Sequence, residues 1–129
     1  SVWLTTVESE VPPVIKEKMV AANSSQTTRS RSRTGKHSRQ LVSPWTDAWE
    51  SENAPDPLPM PLQPMVAEPA LQKVNKLAEG GHDGARDLAT YWVGQGVGLM
   101  NQSISASDVV QDFKEDFVQA YERLTGFVE

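Results

Sequence analysis

The sequence predicts one mainly α-helical domain entered through a single short buried strand. Three observations carry that prediction. The chain has 129 residues, 38% of them hydrophobic and 22% charged. That is enough to bury one core, too short for two, and too apolar for a disordered chain. Helix signals recur along its length, from Pro12-Pro13 at a first turn to an apolar face repeating near the end. Only one run, Val2-Trp3-Leu4-Thr5-Thr6-Val7, is β-branched, aromatic and apolar on both faces, as a covered strand requires.

That strand needs neighbours, because an isolated one leaves its backbone groups unpaired. No second run of its quality occurs, and the sequence opens without an initiator methionine. The expectation is a portion of something longer. After the strand, Pro12-Pro13 opens a helix with Val14, Ile15, Met19 and Ala22 on one stripe and Asn23 as its stop. Residues 23–40 read as a polar, basic loop containing Arg29, Arg31, Arg33, Lys36 and Arg39 without an acid. Trp45 and Trp49, four apart, predict a short capped helix with both indoles on one side.

Six prolines between Ala54 and Pro69 argue against helix and for an extended arm, and Met60, Leu62, Met65 and Val66 pack that arm on a surface. A second long helix is expected from Glu68-Pro69 through Leu71, Val74, Leu77 and Ala78 to Gly80-Gly81, then a short one over 83–91. Gly94-Gln95-Gly96-Val97-Gly98 is a glycine-punctuated turn. The final helix starts at a Ser105 or Ser107 cap, carries Val110, Phe113, Phe117, Ala120, Tyr121 and Leu124 on one face, and ends at Gly126.

Several chemistries are excluded. There is no cysteine, hence no disulfide, thiolate nucleophile or cysteine zinc site, and a reducing, cytoplasmic compartment is the expectation. His37 and His82 stand apart without ligand partners, so they read as loop residues and no metal is expected. Twelve Lys and Arg oppose seventeen Asp and Glu, for a net charge of -5, which argues against a globally basic nucleic-acid binder. No apolar stretch approaches the about 20 residues that span a bilayer. The glycine segment is G-x-G-x-G and fails as a dinucleotide fingerprint. It serves either close helix packing or close approach of a flat ligand. The basic loop is either solvated or a site for a phosphate-bearing ligand, with nucleic acid the weaker alternative. Tryptophans of this kind line cores and seams more often than ligand sites.

Four stretches taken together resemble the carboxy-terminal part of the nitronate monooxygenase (2-nitropropane dioxygenase) family, in whose superfamily flavin-dependent enoyl-acyl-carrier-protein reductases also fall. They are Ser1 to Glu10 with Pro12-Pro13 and Lys16-Glu17-Lys18; Thr34-Gly35-Lys36-His37-Ser38-Arg39; Pro61-Leu62-Gln63; and Tyr91-Trp92-Val93-Gly94-Gln95-Gly96-Val97-Gly98-Leu99. The last matches an aromatic-x-Gly-Gln-x-x-Gly-Leu segment. The likeness runs through essentially the whole chain.

The resemblance implies an FMN-binding (β/α)₈ TIM barrel of about 250 residues or more, of which this chain would hold the end. Residues 1–23 would be the last barrel strand and its helix, 24–90 a helical lid subdomain with the basic loop and proline-rich arm, and 91–129 the flavin-side glycine segment and closing helix. Ser1, where Thr is commoner, would follow the phosphate-loop glycine. Gly94, Gln95 and Gly96 would lie beside the flavin, and Tyr91 and Trp92 would line the substrate pocket. The family's general-base histidine falls before Ser1, so no catalytic residue is expected here and the portion alone should be inactive. The implied reaction is oxidation of an alkyl nitronate with molecular oxygen. The alternative is a flavin dehydrogenase or enoyl reductase acting on an acyl-CoA or acyl-carrier thioester, whose phosphates would suit Arg29, Arg31, Arg33, Lys36 and Arg39. A homo-oligomer is compatible with either. A reading of another class is a stand-alone helical binding module, which would unfold cooperatively by itself.

Overall fold

The computed structural model describes residues 1–128. Five helices surround a two-stranded antiparallel sheet, in the order α1 (Pro13–Ala21), β1 (Thr27–Ser30), β2 (Ser38–Leu41), α2 (Pro44–Trp49), α3 (Leu62–Glu79), α4 (Asp83–Leu88) and α5 (Ala106–Gly126), with a short 3₁₀ turn at Gln95–Leu99 before α5. The mainly helical reading holds. No helix among the described residues is long and apolar enough to cross a membrane.

The opening run is not a strand in this chain. Lacking a neighbour to take its ladder bonds, it closes local turns instead. Leu4 N–H and Thr5 N–H donate to the Ser1 carbonyl at 3.0 and 3.3 Å, and the Thr6 hydroxyl donates to Trp3 O at 2.7 Å. The segment is then tied to the start of α5. Val7 N–H donates to Ile104 O (2.9 Å), Ser103 Oγ donates to Thr5 O (2.7 Å), and Glu8 Oε2 accepts from Ala106 N–H (2.9 Å).

The basic stretch is likewise more ordered than a loop. Thr27, Thr28, Arg29 and Ser30 pair with Leu41, Gln40, Arg39 and Ser38, and Gly35 turns the connection with φ at 81°. The positive φ suits a residue without Cβ. A Cβ there would also strike the backbone of Leu58 and Met60, so the proline-rich arm packs against this turn. The arm is shorter than its prolines suggest, because α3 begins at Leu62 and not at Glu68. Pro64 sits in the first turn, where a missing N–H costs no helical bond, and only Pro69 interrupts the interior. Gln63, fully buried, pins the start of α3: its Oε1 accepts from Leu58 N–H at 2.9 Å and its Nε2 donates to Ser32 O at 2.7 Å.

α1 supplies Val14, Ile15, Met19 and Ala22 to the core, which is completed by Leu41, Ala78, Ala85, Ala89, Val93 and Val97. α3 packs chiefly on α4. Lys18 reaches from α1 to the end of α4, donating to the carbonyls of Arg86 and Asp87, both at 2.9 Å, and of Ala89. α5 stands apart from this core. Its predicted face exists, but only Val109 is buried, and Phe117 is 72% exposed.

Candidate functional site

The site is built on the hairpin. Segment 91–93 runs antiparallel to β2 and extends the sheet by one bridge, Gln40 to Trp92. Leu41 N–H donates to Tyr91 O and Val93 N–H to Arg39 O, both at 3.1 Å, and Thr90 Oγ1 donates to Leu41 O at 2.6 Å. The polar strand β2 thus sets the backbone from which Tyr91 and Trp92 project. Their rings meet edge to face, with centroids 5.5 Å apart at 75°, and both stay half-buried.

Beyond Val93 the chain turns into the glycine segment. Ser1 Oγ accepts from Gly94 N–H at 3.0 Å, so two residues 93 apart in sequence stand together. The three glycines of the segment differ physically. At Gly98 a Cβ would collide with the backbone and hydroxyl of Ser24, so close packing within the chain requires it. At Gly96 a Cβ would meet nothing within 4 Å, and at Gly94 its nearest neighbour would be Ser1 Oγ at 3.9 Å. Neither Gly94 nor Gly96 has positive φ. Their own fold does not demand glycine, and they leave bare backbone on the surface together with exposed Gln95. Along the chain on either side, a cleft opens among Val2, Leu99, Met100, Ile104, Val109 and Phe113.

The five basic residues do not form one surface. Arg29 and Lys36 are exposed, Arg39 donates to Thr27 Oγ1 at 2.9 Å, and Arg31 Nε donates to Gly35 O at 3.1 Å. Arg29 and Arg39 lie directly opposite one another in the strand register. Arg33 turns inward and is 5% exposed. Its Nε and Nη2 fork onto Glu68 Oε1 and Oε2 at 2.6 and 3.1 Å, and its Cζ lies 3.7 Å from the Trp92 ring centroid and 5.2 Å from that of Tyr91. Beside Arg33 and Glu68, buried Gln63 holds the Ser32 carbonyl and buried Gln40 bridges to Trp92. None of Glu68, Gln63 and Gln40 carries a local sequence signal, since Glu68 sits in a proline-rich stretch and Gln40 in a polar strand.

His82 caps α4 through Nδ1, which accepts from Ala85 N–H at 3.1 Å, while His37 is exposed in the hairpin loop. No group of three His, Cys, Asp or Glu side chains placed to hold a metal occurs among the described residues.

Comparison with known proteins places this arrangement among relatives. The sequence profile of the nitronate monooxygenase family matches residues 1–116. A Mycobacterium tuberculosis (strain ATCC 25618 / H37Rv) protein named "Putative monooxygenase Rv1533" is 50% identical over 130 residues, covering 100% of this chain and 34% of its own length. "Probable nitronate monooxygenase" of Bacillus subtilis (strain 168) is 26% identical over 119 residues, covering 92% of this chain and 32% of its own. The solved structure of FabK from Thermotoga maritima superposes with a TM-score of 0.66 at 29% identity, covering 97% of this chain and 37% of that one. The chain therefore spans about a third of the length of the relatives it matches. With a profile match over 116 of its 129 residues and a fold shared at that level, the chain belongs to the nitronate monooxygenase family.

Proposed function

We propose that these residues form the flavin-side segment and covering subdomain of an FMN-dependent oxidoreductase, and that the whole protein oxidises small alkyl nitronates with molecular oxygen. The observation that carries this reading is the pair Gly94 and Gly96. Each lacks a side chain for no reason internal to the fold. Bare backbone of this kind lets a planar ring system approach closely. Gly94, Gln95 and Gly96 would hold the ring side of FMN and Ser1 its phosphate. The Ser1 hydroxyl accepts from Gly94 and keeps its own proton to donate to a phosphate oxygen.

When bound, FMN supplies the redox chemistry. The chain's own residues orient and enclose. Tyr91 and Trp92 wall the pocket, and the base that removes a substrate proton belongs to the remainder of the protein, so residues 1–129 alone are expected to be inactive. That remainder, about two-thirds of the relatives' length, would be the rest of a (β/α)₈ barrel. Joined to it, Val2–Val7 would find the ladder partners it lacks here.

A second reading, an acyl-CoA or acyl-carrier thioester substrate, rests on Arg29 opposite Arg39 in the hairpin register. Like charges paired across a ladder repel, and a phosphate set between them would relieve the repulsion. The test is made on the natural full-length protein. Gly96→Val leaves the apoprotein's thermal midpoint near that of the parent, because a Cβ at this position meets nothing within 4 Å, yet abolishes the visible flavin spectrum of the purified protein. Full flavin content in Gly96→Val refutes the glycine-surface reading. Oxygen uptake with alkyl nitronates, compared with turnover of acyl thioesters, then separates the two substrate classes.

A further inference from the structure

We infer that Arg33 is a positioning residue for Trp92: locked by Glu68 of α3, its guanidinium fixes the attitude of the indole at the pocket wall. The inference rests on the reading of Trp92 as a pocket residue.

Backbone pairing already fixes where Trp92 starts, through the Gln40 bridge and the bonds made by Leu41 and Val93. It leaves the torsions of a large, half-buried side chain free. Arg33 takes up that freedom. Its Cζ at 3.7 Å from the ring centroid is van der Waals contact with the indole face, well inside the about 6 Å range of a cation–π pair. A guanidinium constrains an indole only if its own plane is set, and the two-point fork to Glu68 sets it.

Stability alone is a poor account of this arrangement. An ion pair with Arg33 buried and Glu68 half-buried gains little over apolar residues of similar volume, and one guanidinium nitrogen, Nη1, finds no protein acceptor despite being buried. A planar cation held between a carboxylate and an aromatic face adds a defined geometry, which a lysine cannot copy. The cluster also joins three elements: the hairpin turn through Arg33, α3 through Glu68 and Gln63, and segment 91–93 through Trp92.

The test uses Arg33→Lys, Glu68→Gln, Trp92→Phe and their double variants in the natural full-length protein. The near-UV circular dichroism and acrylamide quenching of Trp92 are obtained as the difference from the matching Trp92→Phe background. Arg33→Lys is expected to remove most of the Trp92 dichroism, raise its quenching, and lower kcat/KM about tenfold. In the Trp92→Phe background the same change is expected to alter kcat/KM less than twofold, because the residue acts through the indole. Glu68→Gln keeps volume and the arginine charge, and yields the same readouts if Arg33→Lys fails to fold. Unchanged Trp92 dichroism and quenching, or an equal activity loss in both backgrounds, overturns the inference. A changed indole signal with unchanged turnover supports the positioning of Trp92 and refutes its place in the pocket.

Discussion

At the scale of single residues, Lys18 shows how a charge can be held inside a mainly helical protein. Its ammonium caps the end of α4 through three carbonyls while partial burial removes some of its water. Burial lowers its pKa below the usual 10.5, with Asp87 working against the shift and Arg86 adding to it. Lys18→Met preserves the stem but leaves the α4 carbonyls without their donor, and is expected to cost about 1 kcal/mol at neutral pH in denaturant unfolding. The pH dependence has a definite sign. Between the lowered folded value and 10.5 the unfolded chain binds more protons than the folded one, so Lys18 makes stability rise with pH across that window. The Lys18→Met chain should lack that rise. Parallel curves for the two proteins over the alkaline range would show that Lys18 is not perturbed by burial.

Among the elements, α5 was legible because its cap, its dipole-favoured Asp108 and its 3.6-residue apolar period all agree. α1 and α2 were legible because each carries a proline in its first turn. The hairpin was not. Its most buried positions, Ser30 and Gln40, are polar, so the alternation that betrays a half-buried strand is missing. The start of α3 was hidden by prolines, one of which costs a first turn nothing. What fixes α5 beyond its cap was also invisible locally. Ser105 Oγ accepts from Asp108 N–H at 3.0 Å, while Glu8, 98 positions earlier, accepts from Ala106 N–H. Ser105→Ala is expected to cost about 1 kcal/mol, read as reduced α5 amide protection. A larger loss is expected when Glu8→Gln is added, since both first-turn donors are then weakened. No change in α5 protection in the double variant would mean that packing at Val109 alone sets where the helix begins.

For the whole molecule, the division that matters lies between the core and α5. The glycine segment of the candidate site was readable because its spacing matched a family pattern. The Arg33–Glu68–Trp92 cluster was not, because its ion pair joins residues 35 apart and its aromatic contact residues 59 apart. The core runs through α1, β2, the ends of α3 and α4, and Val93 and Val97. It therefore carries the hairpin and the 91–97 segment as one unit. α5 contributes only Val109 to the buried residues, and Val110, Phe113, Phe117, Tyr121 and Leu124 are each about half exposed or more. Regions with few buried contacts open at lower free energy than the core they adjoin. Ile15, wholly buried at the centre, is the lever that separates the two. Ile15→Ala is expected to cost about 2–5 kcal/mol and to lower the protection of amides in α1, β2 and segment 91–97 together. Amides of α5 beyond Val109, already exchanging through local opening, should keep their rates as long as the variant remains folded. If instead the α5 amides slow to the core's rate in the parent chain and fall with it in Ile15→Ala, then α5 belongs to the same cooperative unit. Its apolar face would then be covered in solution.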